Sequence, residues 1–279
     1  MTMEEIVNFG LLDTLCYHPL GVRDLQHWIE CSAANAQLLI DHIQANDVDL
    51  SAWCTHPHAS RLLSTLIEQL STATEQASLL KLVSCLSSNL SLSALMDDQA
   101  AEIVCKLIEL KLPCSSMEFM ATTLRQNFML LANHTCSARL ILTFLGAYGN
   151  TLNSQFWHDI LAHSKQHGND TFLHLCQLQH SHTIVLQLIE CDMAGLRQVL
   201  VEKVVADKRV FLRLSESEYG CKIVQLCIKL ATTTQIAALV SSVMENEHAI
   251  YHELRLDAIG CAVVNSLVAK CDAISRLQK

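Results

Sequence analysis

Proline and glycine are scarce in this 279-residue chain, with 3 and 8 copies, and the scarcity argues against an all-β fold. Hairpins and sandwiches need turn residues at regular short intervals, and too few are present to supply them. No run of about 18 uninterrupted apolar residues occurs, so no membrane span is expected. The opening Met1-Thr2-Met3-Glu4-Glu5 is acidic and lacks the apolar core of a secretory signal. GxSxG, HExxH, P-loop and GxGxxG patterns are all missing, so the chain does not read as an enzyme and no cofactor is expected. Half of the residues are nevertheless hydrophobic, and the long stretches are Leu, Ile, Ala, Gln, Glu and Lys, which favour helix. The positive mean hydropathy therefore belongs to a buried helical interior, in a soluble chain. Thirteen cysteines are present, an odd number without CxxC spacing or a disulfide framework. Cys54, Cys85, Cys105 and Cys176 fall inside apolar helical runs, so they are expected as reduced core thiols in a reducing compartment. The cytoplasm is the expected location, with the nucleus or nucleolus as alternatives.

The chain repeats itself. The segment Gly220-Cys221-Lys222-Ile223-Val224-Gln225-Leu226-Cys227-Ile228-Lys229 matches Gly21-Val22-Arg23-Asp24-Leu25-Gln26-His27-Trp28-Ile29-Glu30. It also matches Ala59-Ser60-Arg61-Leu62-Leu63-Ser64-Thr65-Leu66-Ile67-Glu68, and further copies begin at Ala100, Ser137, Ser181 and Gly260. The intervals between starts are 38, 41, 37, 44, 39 and 40 residues. A period near 40 is that of a solenoid, in which each unit buries its faces only by stacking on its neighbours.

Each copy has the same anatomy. A small residue opens it, allowing close approach to the preceding helix. Apolar residues such as Leu62, Leu63, Leu66 and Ile67 then recur at helical spacing. A further helix follows behind a cap. Thr72-x-x-Glu75, Ser115-x-x-Glu118 and Thr232-x-x-Gln235 have capping-box form, and Ser32 and Asp192 are expected as simple N-caps. The stripes Ala36/Leu39/Ile40/Ile43 and Leu79/Leu82/Val83/Leu86 give these later helices one apolar face. A short helical stretch, such as Phe211-Leu212-Arg213-Leu214, precedes each opener. Three helices per repeat and about seven repeats predict an all-α, right-handed superhelical solenoid spanning residues 1–279 as a single repeat domain. Residues 1–20 are expected to form a leading cap helix or the remnant of another repeat, and the last repeat to have a short third helix or none.

Gly220-Cys221-Lys222-Ile223-Val224-Gln225, preceded by Tyr219, resembles the second-helix signature of the Pumilio (PUF) repeat family. Ala59-Ser60-Arg61-Leu62-Leu63 and Gly21-Val22-Arg23-Asp24-Leu25-Gln26 are looser copies, and Gly260-Cys261-Ala262-Val263-Val264-Asn265 keeps only the framework. The resemblance implies single-stranded RNA as partner, notably mRNA 3′ untranslated regions, with a monomeric protein reading roughly one base per repeat from a concave row of second helices. It implies that the residue after the opener and the one four places later meet the base edge, while the residue directly after the first stacks on the base. The implied contacts are Val22, Arg23 and Gln26 in repeat one, Ser60, Arg61 and Ser64 in repeat two, and Cys221, Lys222 and Gln225 in repeat six. The remaining repeats place Ala101, Glu102 and Cys105, then Ala138, Arg139 and Leu142, then His182, Thr183 and Leu186, and finally Cys261, Ala262 and Asn265. A carboxylate at Glu102 repels phosphate, so the set departs from the family pattern, and full sequence reading is not expected.

Charge and histidine patterns bound this further. The net charge is −9, yet the seven second-helix segments, eleven residues each, carry +1 together and the remainder −10. Distribution, more than total, decides whether phosphate is attracted. A protein-binding scaffold that has lost the RNA code is the alternative reading. His158, His163 and His167 could share a helix face but lack a completing carboxylate or thiol, so a polar surface is expected there and no metal. The pairs His56/His58, His134/Cys136 and His180/His182 would point to different sides of a helix.

Overall fold

A computed structural model describes residues 3–8, 10–46, 48–71, 76–149, 171–191, 195–244, 254 and 257–277. The chain divides into two compact units, Met1–Thr151 and Leu152–Lys279. The first contains α1 (Met3–Asn8), α2 (Leu12–Cys16), α3 (Pro19–Cys31), α4 (Ala33–Ala45), α5 (Leu50–Thr55), α6 (Ala59–Leu70) and α7 (Gln76–Asn89). A 3₁₀ turn (Ala94–Met96), α8 (Asp98–Glu109), a second 3₁₀ turn (Cys114–Met117), α9 (Glu118–Ala132) and α10 (Thr135–Tyr148) complete it. The second contains α11 (Thr171–Gln177), α12 (Ser181–Glu190), α13 (Leu196–Ala206), α14 (Lys208–Ser215), α15 (Gly220–Leu230), α16 (Thr233–Met244) and α17 (Ala258–Leu277). No strand occurs among the described residues.

Each unit is an α-solenoid, because equivalent helices pack on one another in chain order. In the first unit α3, α6, α8 and α10 form a continuous row, with α4 against α7 behind it. In the second unit α12, α15 and α17 form the row, and α13 packs on α16. The apolar stripes read from sequence are the buried ones: Leu62, Leu63, Leu66 and Ile67, then Ala36, Leu39, Ile40 and Ile43, then Leu79, Leu82, Val83 and Leu86. The helix α1 buries Met3 and Ile6 and packs on α4, the place a third helix of a preceding repeat would take.

The seven openers explain why the rows are so close. Gly21, Ala59, Ala100, Ser137, Ser181, Gly220 and Gly260 are all buried. A Cβ at Gly21 would stand 2.5 Å from the Leu15 carbonyl oxygen, and one at Gly220 would stand 2.8 Å from that of Leu214. These openers thus ride over the carbonyl six residues earlier, as Gly260 does over that of Leu254 at 2.5 Å. Ser181 turns that proximity into a bond, its Oγ donating to the Leu175 carbonyl at 2.8 Å. Ser137 reaches back instead to Leu95 of the previous repeat, also at 2.8 Å.

The row helices α3, α8, α10 and α17 start two residues before their openers, whereas α6, α12 and α15 start on them. The Thr232/Gln235 box forms, with Gln235 Oε1 accepting from Thr232 N at 2.9 Å and Thr232 Oγ1 from Gln235 N at 3.3 Å. Ser32 caps α4 through Ala34 N. Ser115 caps nothing: residues 114–117 tighten into a 3₁₀ turn after Pro113, and α9 begins at Glu118 behind an uncapping Met117. Thr72, Glu75 and Asp192 lie outside the described residues, as do His158, His163 and His167. In repeat three the first helix shrinks to the Ala94–Met96 turn. In repeat four it is the end of α9, set off by a non-helical Asn127 at φ −126°, ψ 18°. The last row helix, α17, runs 20 residues without a break, so repeat seven has no separate third helix there. Its Ala258–Arg276 stretch is long and apolar enough to cross a membrane by length and composition, and only 17% of it is buried. Val263 and Val264 are nevertheless buried, and the helix packs on α15.

All thirteen cysteines are free thiols. Cys16, Cys54, Cys105, Cys176, Cys221 and Cys227 are buried, while Cys85 is only half-buried, a small correction to its expected core place. Burial pushes the Cys54 and Cys227 thiols up to about 12, because a thiolate loses its hydration there.

Candidate nucleic-acid interface

The second helices set every candidate side chain in one of three columns. Immediately after the opener, Val22, Ser60, Ala101, Ala138, His182 and Cys221 are buried, and Cys261 is half-buried. Helical geometry turns the next residue outward, and Arg23, Arg61, Glu102, Arg139 and Lys222 are exposed. None of these four cations is ion-paired with a carboxylate among the described residues. The third column, five residues after the opener, holds Gln26, Ser64, Leu142, Leu186 and Gln225 half-buried, Cys105 buried and Asn265 exposed.

In the first unit this third column is occupied with holding repeats together. Gln26 Nε2 donates to Thr65 Oγ1 at 2.8 Å and to the Arg61 carbonyl at 3.3 Å. Ser64 accepts from the Lys106 ammonium, which also pairs with Glu68 at 2.8 Å. Burial pushes the Cys105 thiol up, and the neighbouring Thr143 and Arg139 side chains oppose that push. The pattern is one ladder: in repeats one and two the fifth residue after the opener bonds the sixth after the next. Sequence comparison within a repeat does not reveal it, since the partners are about 40 residues apart. Ser60 Oγ lies 3.3 Å from the Gln99 side-chain amide. Between α6 and α8 a cavity of about 300 Å³ opens, lined by Ser60, Arg61, Ser64, Gln99 and Glu102 among others. Arg61 and Glu102 face it with opposite charge, so its field is nearly balanced.

The second unit is arranged differently. His182 stacks on Tyr219 with ring centroids 4.8 Å apart and planes 29° from parallel, and Lys222 Nζ lies 5.6 Å from the same ring. Cys221 Sγ donates to the Glu218 carbonyl at 3.2 Å. Asn265 donates weakly to Cys261 Sγ at 3.7 Å. A cleft of about 650 Å³ runs along α12, α15 and α17. Lys222 and Gln225 line it as the sequence predicts, but so do Lys229, Lys270 and Glu190, which the repeat comparison did not single out. A signal for Lys229 was present. The ninth residue after the opener is Glu30, Glu68, Glu109 and Glu190 in repeats one, two, three and five, and lysine in repeat six.

The histidine pairs behave unevenly. His56 and His58 sit in the turn between α5 and α6 and do meet, with centroids 5.5 Å apart. Tyr17 packs edge-on against His56 at 4.8 Å. Cys136 Sγ donates to Asp98 Oδ1 at 2.7 Å. No three His, Cys, Asp or Glu side chains gather as a metal site among the described residues.

No family profile matches the chain, and no curated protein matches it in sequence. Solved structures do match in fold. The RNA-binding domain of yeast Puf5p, solved with AAT2 RNA, is 17% identical with a TM-score of 0.73, covering 95% of this chain and 73% of that one. PUF-8 in complex with PBE-RNA is 14% identical with a TM-score of 0.63, covering 97% and 85%. The Puf4 RNA-binding domain, solved with an HO endonuclease RNA 3′ UTR recognition sequence, is 16% identical with a TM-score of 0.62, covering 92% and 74%. These likenesses, together with the stacked second helices and their buried small openers, give the chain the fold of a Pumilio-repeat domain.

Proposed function

We propose that this protein binds single-stranded RNA through its second helices and acts post-transcriptionally, on mRNA 3′ untranslated regions or in ribosome assembly. The observation that carries the reading is the second column: Arg23, Arg61, Arg139 and Lys222 occupy one repeat position, all exposed and none neutralised by a carboxylate among the described residues. Recurrence of an exposed cation at one repeat position, three times within the first unit, is what a polyanion running across that unit's row requires. A planar guanidinium there can also stack on a base. The structural relatives were solved with RNA, which supports the same reading. The buried first column and the tied third column leave little for base-edge recognition in the first unit, so the binding proposed is salt-sensitive and weakly sequence-selective. Catalysis has no part in it. The reduced thiols support an intracellular setting, with the cytoplasm as the proposed location.

The test is binding of a random single-stranded RNA pool at low salt by the wild-type chain and by Arg23→Ala/Arg61→Ala/Lys222→Ala. Each phosphate contact contributes about −0.7 to the slope of log K against log salt for a single strand. Removing three cations should therefore lower the slope by up to about 2 and weaken binding by up to about 100-fold at 0.1 M salt. Equal binding by both proteins would remove the column from the account.

One observation favours a second reading, a protein-binding scaffold. Glu102 stands exposed where a base would stack and shares its cavity with Arg61, a balanced pair better suited to a peptide than to a polyanion. Partner capture that survives ribonuclease would support it; capture abolished by ribonuclease would count against it.

A further inference from the structure

We infer that the cleft along α12, α15 and α17 is a phosphate-binding channel that holds the RNA backbone rather than its bases, and that it is the strongest RNA contact on the chain. The inference rests on the RNA-binding reading above and deepens it. Three ammonium groups, Lys222, Lys229 and Lys270, line the cleft against a single carboxylate, Glu190. None of the three is ion-paired with a carboxylate among the described residues. The cavity between α6 and α8 in the first unit offers one cation and one carboxylate, Arg61 and Glu102, and the nearby Lys106 is already bound to Glu68 and Ser64.

Geometry favours backbone over base. Lys222 and Lys229 are seven residues apart on α15, so two turns separate them by about 10.5 Å along one face. Lys270 Nζ donates to the Lys229 carbonyl at 2.8 Å, which holds the third ammonium from α17 against the end of α15. A row of point charges at this spacing attracts successive phosphates without regard to sequence, since a lysine carries no base-edge code. Gln225 stands in the same cleft with no hydrogen-bond partner among the described residues, in contrast to Gln26, whose amide is taken up by the inter-repeat ladder. A polar amide half-exposed beside the lysines can bond a phosphate oxygen or a ribose hydroxyl.

The experiment measures binding of 12-nucleotide oligouridylate and oligoadenylate to the full chain between 50 and 300 mM salt. Wild type is compared with Lys229→Gln, Lys229→Gln/Lys270→Gln, Lys229→Arg/Lys270→Arg and the first-unit variant Arg23→Ala/Arg61→Ala. Circular dichroism and urea unfolding check the fold of each, and Lys229→Gln alone leaves the Lys270 bond to the backbone intact. The channel predicts that the double glutamine variant loses about 1.4 from the salt slope and about 25-fold in affinity at 0.1 M salt, equally for both oligonucleotides, while the arginine variant retains binding. It also predicts a smaller loss for the first-unit variant. Should wild type bind neither oligonucleotide nor a random pool, the RNA reading itself fails. Should wild type bind while the glutamine variants match it, or lose only one oligonucleotide, RNA binding stands and the phosphate channel is overturned.

Discussion

Replacing Gly21 with alanine should destabilise the first unit, against the usual direction of that change in a helix. In an unconstrained helix interior alanine is better than glycine by about 1 kcal/mol. At Gly21 the added Cβ would meet the Leu15 carbonyl oxygen at 2.5 Å and Leu15 Cα at 2.8 Å. Both are backbone atoms, so no side chain can rotate away, and α2 must retreat by about 1 Å to restore ordinary carbon–oxygen separation. Overpacking of this kind costs about 1–3 kcal/mol. Setting the helix gain against it leaves a net loss of about 0–2 kcal/mol for a substitution that adds one methyl group. Urea unfolding followed by circular dichroism is the assay, with Ala59→Gly as the matched control at the equivalent opener. There the buried methyl and the helix preference are both forfeited, for a loss of about 1–2 kcal/mol in the opposite chemical direction. A Gly21→Ala protein more stable than wild type would refute the close approach of α3 to α2.

Other consequences of the fold can be checked in the same way. Asp207→Ala removes the Oδ1 acceptor that caps α14 through Arg209 N at 2.9 Å and Val210 N at 3.2 Å, and should cost about 1 kcal/mol in urea unfolding. Tyr148→Phe takes a buried hydroxyl from the Leu112 carbonyl, 2.9 Å away, for a loss of about 1 kcal/mol. Because burial raises Cys54 and Cys227 from 9 to about 12, the folded state holds its thiol protons longer than the unfolded chain. Their stabilisation is complete below pH 9 and is lost as pH rises towards about 12, by up to about 1.4 kcal/mol per pH unit for each thiol. Alkaline urea titrations should show this decline, which Cys54→Ala/Cys227→Ala should reduce. A thiol reagent should modify exposed Cys31, Cys114 and Cys191 ahead of buried Cys16, Cys54, Cys176 and Cys227.

The openers were legible because close helix approach constrains residue size, and size survives as Gly, Ala or Ser even where every neighbouring letter has changed. The apolar stripes were legible for the same reason. The Ser115 box was not, because Pro113 and the following turn wind residues 114–117 too tightly for the cap, a tertiary outcome the four-letter pattern cannot register. The kink at Asn127 likewise leaves no helix-breaking residue to mark it. At the interface, the exposed cation column followed from helical spacing alone. The ladder that ties Gln26 and Ser64 to their neighbours depends on contacts about 40 residues apart. It turns two residues implied by the family resemblance into joints between repeats. Lys229 and Lys270 were not legible because the family resemblance marks only the first two turns of each second helix, while the glutamate-to-lysine change at the ninth residue lies in the third.

The most direct measurement is the affinity of the whole chain for a random single-stranded RNA pool as salt rises from 50 to 300 mM. The account predicts saturable binding whose logarithm falls linearly with log salt, by a slope of about −2 or steeper, and which is weakened most by changing the lysines of the second unit. Absence of saturable binding at 50 mM salt, from a chain shown by circular dichroism to be folded, would contradict it.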